Sequence, residues 1–227
     1  MFFLRRAYMG SNFAAMSPPS GWVPPVGIGD WSLDFLNEVY TKDASTVAIA
    51  DIIDKPARVG ASGLEILDDD VDGVVSSLGD LLTDYQLMDW TVVIEWEELT
   101  TDGATYLLYL ADVDDDHSLL VSKNTYLTDL RTVHVHEGSF NIRDVGINTS
   151  HGPGVHKIAV TRTNAFISMS CDGSSVVTQV VAPISMNPMA TASFGGDPID
   201  QSYNGTFIRT LQLMAPQADA ALPGLSA

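Results

Sequence analysis

Two glutamates on one strand face are the residues of this chain best spaced for bond-breaking chemistry. In Trp90–Leu99 (WTVVIEWEEL) a period of two sets Trp90, Val92, Ile94 and Trp96 on one face and Val93, Glu95 and Glu97 on the other. Same-face neighbours lie roughly 7 Å from each other along a strand, and retaining glycoside hydrolysis wants about 5–5.5 Å between its two carboxyl groups, a gap that flexible side chains close. Glu95 and Glu97 therefore meet the geometric condition for an acid and nucleophile pair. The simpler account of the same residues is the solvated face of an amphipathic strand.

Other polar clusters suggest other chemistries. Asp112–Asp116 (DVDDD) joins two expected strands, and Asp112, Asp114 and Asp116 offer hard carboxylate oxygens to calcium. Crowded carboxylates need either a cation or open solvent, so an acidic turn is the competing account. Lys123 at the twelfth position excludes an EF-hand there. Asp68–Gly73 (DDDVDG) imitates the opening of such a loop, but its twelfth position is Gly79. His134 and His136 share a strand face, a spacing that chelates a transition metal only if a third ligand arrives from His117, His151 or His156. Alternation with Val133 and Val135 explains them more economically as decoration of a strand. No nucleophile elbow frames a serine, and no Gly-x-Gly-x-x-Gly or P-loop pattern occurs, so neither a catalytic triad nor a nucleotide cofactor is expected. Trp22, Trp31, Trp90, Trp96, Tyr106, Tyr109, Tyr126 and Tyr203 supply flat rings of the kind that stack on sugars. Trp90 and Trp96 bracket an apolar face and should be buried. Tyr126 and Tyr203 lie in loop-like sequence and are the residues expected at a glycan surface.

Short β-like runs must position these groups. Thr105–Ala111 (TYLLYLA) is apolar on both faces, and His117–Val121, Thr132–Glu137, Val155–Arg162, Phe166–Cys171, Val176–Val181, Thr191–Gly195 and Phe207–Met214 continue the series between Asp-, Gly- and Asn-bearing turns. Within His156–Ser175, Thr163-Asn164-Ala165 predicts one hairpin and Asp172-Gly173 a second turn. Pro216–Leu222 (PQADAAL) reads as a short helix ended by Pro223-Gly224. Residues 1–30 differ: Pro18, Pro19, Pro24 and Pro25 favour extended backbone that cannot join a central sheet but can lie along a neighbour. Phe2, Phe3, Phe13 and Trp22 would be unfavourable on a free tail, so this segment is expected to be an anchoring arm that docks onto another subunit or onto the body of the chain.

The 227 residues are 45% hydrophobic and 18% charged, which suits one β-rich domain with a sizeable core. Against 11 basic residues stand 29 acidic ones, a formal charge of -18. Such a surface repels phosphate backbones and anionic membranes, so neither nucleic-acid binding nor membrane association is expected. The single cysteine, Cys171, excludes an intrachain disulfide and alternates with Ile167 and Met169 as a small buried hydrophobe would. No run of 18 apolar residues exists, and MFFLRR lacks the order of a secretory signal, so synthesis in the cytoplasm and no membrane insertion are expected.

The order of a Trp-initiated strand, TYLLYLAD, HKIAVTRT, a hairpin ending SCDG, and an SFGG turn followed by NGTFIRTLQL resembles concanavalin A-like, laminin G-like jelly-rolls over roughly residues 86–225. Upstream, LDFLNEVY and ADIIDKPARVGASGLEIL resemble a segment that precedes such jelly-rolls in tailed-phage and gene-transfer-agent particle proteins. The resemblance implies an all-β, two-sheet antiparallel sandwich with an extended N-terminal arm (1–30), lead-in strands (31–85), a lectin-like core and a short C-terminal helix. It implies a non-enzymatic surface module of a phage or phage-like particle, homo-oligomeric, with host polysaccharide and other virion proteins as partners. Hydrolases on this fold resemble Glu-x-Asp-x-x-Glu; here Glu97 stands where Asp is expected and position 100 is Thr. Two alternatives stay open, a glycoside hydrolase or lyase using Glu95 and Glu97 and a calcium-dependent lectin using the Asp112–Asp116 turn.

Overall fold

A computed structural model describes residues 31–42, 45–67, 73–76, 89–99, 105–112, 118–124, 131–137, 143–149, 153–163, 165–180, 189–195 and 205–227, and for parts of the second sheet the backbone alone. The strands are β1 (Trp31–Asp34), β2 (Val39–Lys42), β3 (Ser45–Ala48), β4 (Val59–Gly60), β5 (Gly63–Ile66), β6 (Val74–Ser76), β7 (Trp90–Glu98) and β8 (Thr105–Asp112). They continue as β9 (Ser118–Asn124), β10 (Arg131–Glu137), β11 (Arg143–Thr149), β12 (Gly154–Arg162), β13 (Phe166–Cys171), β14 (Val177–Val180), β15 (Met189–Phe194) and β16 (Thr206–Met214). Among the described residues these form two antiparallel sheets. Ten strands make the first, ordered β14-β13-β12-β7-β16-β1-β2-β3 with β5 beside β16 and β4 beside β5, and six make the second, ordered β11-β10-β9-β8-β15-β6.

The long alternating strand sits where its pattern demands. β7 lies between β12 and β16, and its inward residues Trp90, Val92, Ile94 and Trp96 are buried in the interlayer. Each such large side chain removed from water contributes about 1.5–3 kcal/mol. Phe35, just after β1, meets Phe194 of β15 edge-on with ring centroids 5.5 Å apart and planes at 80°, so an aromatic contact links the two sheets. The N-terminal strands belong to the same sandwich, because β1 pairs with residues 210–213 of β16 and β5 with residues 206–208.

The two turns after β12 follow from their sequences. Arg162 pairs with Ile167 across the first, and the Thr163 hydroxyl accepts from the backbone N–H groups of Ala165 and Phe166. At the second, Asp172 and Gly173 both have positive φ (47° and 68°) and Ser174 N–H donates to the Cys171 carbonyl, the pattern of a type I′ turn.

Two expectations need correction. β11 lacks an apolar run, and its sequence RDVGINT gave no anticipated strand; among its described side chains Val145 and Ile147 are buried in the core, around an exposed Gly146. The C-terminal helix is also displaced. Gln217 N–H donates to Thr91 Oγ1 (2.8 Å) and its carbonyl accepts from Thr161 Oγ1 (3.2 Å), so Pro216–Ala218 is held extended against the sheet. A 3-10 turn at Asp219–Ala221 then leads into α1 (Leu222–Leu225), with Pro223 and Gly224 inside it. Proline fits there because the first helical turn needs no N–H from it. This strap covers the outer face of β7 and β12: Leu222 is fully buried against Val93, Ala159 and Met214.

Candidate functional site

Where the strap ends, the outer face of the ten-stranded sheet becomes charged. Glu95 and Glu97 share that face, as their spacing requires, with Lys157 directly opposite Glu95 on β12. On the other flank the register slips between Ile208 and Thr210 of β16, which makes Arg209 an extra residue opposite β7. A β-bulge of this kind re-aims a side chain. Here it sends Arg209 outward, between the two carboxylates. Arg209 Nε lies 3.0 Å from Glu95 Oε1, off the N–H direction, so the contact is ionic rather than a directed hydrogen bond. Arg209 also donates to Glu97 Oε2 at 3.3 Å, and Lys157 Nζ lies 3.5 Å from Glu95 Oε2. The bulge falls at the point where the partner of β16 changes from β1 to β5, and the Arg209 carbonyl accepts from Phe35 N–H there.

This geometry bears on hydrolysis. A retaining pair must hold a sugar between its carboxyl groups, one delivering a proton and the other facing the anomeric carbon. In this protein a guanidinium occupies that gap. Glu98, the third carboxylate of the run, turns inward, is 3% exposed and accepts from Trp96 Nε1 at 2.9 Å.

Beside it, His156 is buried against Trp96, with ring centroids 5.5 Å apart, and its Nδ1 lies 2.9 Å from Asp172 Oδ2. The same aspartate accepts from Lys157 N–H through Oδ1 (2.8 Å), so a residue in the left-handed region is held by both carboxylate oxygens. Cys171 is fully buried next to it. Burial first, then the nearby Asp172 and Glu98 charges, pushes the thiol far above its ordinary value, so it is an inert core residue.

On the six-stranded sheet another bulge builds an aromatic feature. Tyr106 pairs with Ser122 but Leu108 with Val121, leaving Leu107 as the extra residue. Leu107 and Leu108 are both buried in the core, while Tyr106 and Tyr109 both lie half-buried on the opposite face. Their rings stack with centroids 5.9 Å apart and planes 28° from parallel. The apolar-on-both-faces reading of TYLLYLA had no means of locating this bulge.

Of the residues anticipated for ligands, Tyr126, Tyr203, Asp114 and Asp116 lie outside the described residues, as do Phe2, Phe3, Phe13 and Trp22 of the arm. Asp112 closes β8, and β10 places His134 opposite Gly146 and His136 opposite Asp144; only the backbone of these three is described. Among the described residues no three His, Cys, Asp or Glu side chains gather as metal ligands, and no helix is long and apolar enough to cross a membrane.

Two packed antiparallel sheets in this order define a jelly-roll β-sandwich of the concanavalin A-like class. Among solved structures, the chain is similar to the CBM40 module of Ruminococcus gnavus IT-sialidase bound to α2,3-sialyllactose (15% identity, 68% of this chain and 93% of that chain, TM-score 0.50). Another structure of that module aligns with 13% identity over the same shares and the same TM-score. Leech intramolecular trans-sialidase in complex with 2,7-anhydro-Neu5Ac aligns with 12% identity over 68% of this chain and 26% of that one, TM-score 0.50. These likenesses concern the fold. No family model matches the chain, and no curated protein matches it in sequence.

Proposed function

We propose that this protein is a non-enzymatic, glycan-binding sandwich displayed on a phage or phage-like particle, made in the bacterial cytoplasm and anchored to other particle proteins by residues 1–30. The observation that carries the non-enzymatic part is Arg209 standing between Glu95 and Glu97. Glycan binding is supported by the likeness of the fold to a carbohydrate-binding module that holds sialyllactose. The particle setting rests on the resemblance of LDFLNEVY and ADIIDKPARVGASGLEIL to particle proteins. Display in many copies suits such a module, because repetition turns a weak single-site affinity into useful avidity.

The test is incubation with a panel of bacterial capsule polysaccharides. Binding without new reducing ends is expected. Release of reducing ends that Glu95→Gln abolishes would establish the hydrolase reading instead, and binding lost on chelation would favour the calcium-dependent lectin. Sedimentation of native source material tests the setting: the polypeptide is expected in large assemblies, and its confinement to the soluble fraction would contradict the particle role.

A further inference from the structure

We infer that Tyr106 and Tyr109 form the platform on which a neutral glycan stacks. This rests on the glycan-binding reading above and adds to it a place and a ligand class. In a regular strand, residues three apart point to opposite faces. The bulge at Leu107 breaks that rule and puts both phenol rings on the outer face of the six-stranded sheet. The arrangement is firmly based: Leu107 and Leu108 are anchored in the core beneath, and Gly195 N–H donates to the Tyr106 carbonyl at 2.7 Å. Stiff aromatic side chains with few rotatable bonds bring contact area at low entropic penalty. The electron-rich face of a tyrosine ring attracts the C–H face of a pyranose, and this attraction asks for no charge on the sugar.

Charge selects the ligand class. A chain of formal charge -18 repels sialic acids and uronates on approach. On the outer face of the other sheet, Arg209 and Lys157 are engaged by Glu95 and Glu97. A neutral hexose chain meets no such barrier.

Titration calorimetry of the full chain with maltohexaose, cellohexaose, mannohexaose and galactohexaose, beside sialyllactose and a hexuronate hexamer, tests the inference. At least one neutral hexaose is expected to bind, and neither acidic sugar. Tyr106→Phe and Tyr109→Phe keep the ring and should bind within about threefold of the wild type, whereas Tyr106→Leu and Tyr109→Leu should weaken binding about tenfold or more. Should a leucine variant fail to fold, tetranitromethane modification of the wild type separates the same outcomes, since bound hexaose should protect both tyrosines. Binding that survives the leucine changes, or absence of protection, overturns the platform and leaves glycan binding standing. Preference for the acidic sugars overturns the ligand class. No binding to any of the six overturns both this inference and the glycan-binding reading.

Discussion

Arg209 is the residue on which the reading of the outer face turns. Removing its guanidinium leaves Glu95 and Glu97 side by side with Lys157 alone, on a surface that already carries excess negative charge. Arg209 is about a quarter exposed, so solvent screens part of the loss. Arg209→Met is expected to destabilise the fold by about 1–3 kcal/mol in urea denaturation at low salt, with Glu97→Gln in that background recovering part of it. Wild-type stability in Arg209→Met would contradict the bridging role. Cys171 makes a second prediction, with a definite sign. Its ordinary value is 9.0, and burial raises it in the folded state. Below pH 9 the thiol is neutral in both states. Above it the unfolded chain releases a proton that the folded chain retains, so stability should fall as pH rises, by about 1.4 kcal/mol per unit. Cys171→Ala should lose that component of the slope, which paired denaturation series at pH 8 and pH 10 measure. The burial of Cys171 and of Trp90 and Trp96 was legible from alternation alone, because a period of two reports which side of a strand a residue takes. The partner that Glu95 and Glu97 share was not legible, because Arg209 reaches them only through a one-residue slip in register.

Bulges and straps govern the next scale. The strands named from the sequence between Trp90 and Met214 recur with shifts of a few residues at their ends, since β-branched and aromatic runs bounded by turn residues leave little choice. What escaped was set by tertiary contact. β11 is polar apart from Val145 and Ile147 and is a strand because β10 pairs along its length. Pro216–Ala218 is extended because Thr91 and Thr161 bind the Gln217 N–H and carbonyl and hold the segment against the sheet. Leu222→Ala should open a cavity under the strap and destabilise by about 2–5 kcal/mol, seen as a lower thermal midpoint; an unchanged midpoint would mean the strap contributes nothing to the fold. Gly63 gives a sharper test of the packing of β5 on β16. Its φ is +113°, and a Cβ there would collide with the Ile208 carbonyl oxygen. Gly63→Ala must therefore displace backbone beside the Arg209 bulge. A loss of more than about 2 kcal/mol is expected, whereas Ala at the open position Gly60 should be tolerated.

For the molecule as a whole, 29 acidic residues against 11 basic ones give the sandwich a formal charge of -18. The fold class was accessible from pattern because strand spacing and turn chemistry repeat along the chain. The stacking of Tyr106 on Tyr109 was not, because a bulge reorders the faces of their strand; Tyr126 and Tyr203, which stand out in the sequence for their loop-like surroundings, lie outside the described residues. Deleting residues 1–30 should leave a folded, soluble sandwich that no longer enters particles, and normal incorporation of the truncated chain would refute the anchoring role. The most direct measurement combines binding and integrity of one sugar: titrate the intact protein with the neutral hexaoses and recover the sugar for mass analysis. Saturable binding with every hexaose recovered at full length is predicted. Shortened products that disappear in Glu95→Gln, or no heat of binding with any of them, would contradict a non-enzymatic glycan-binding role.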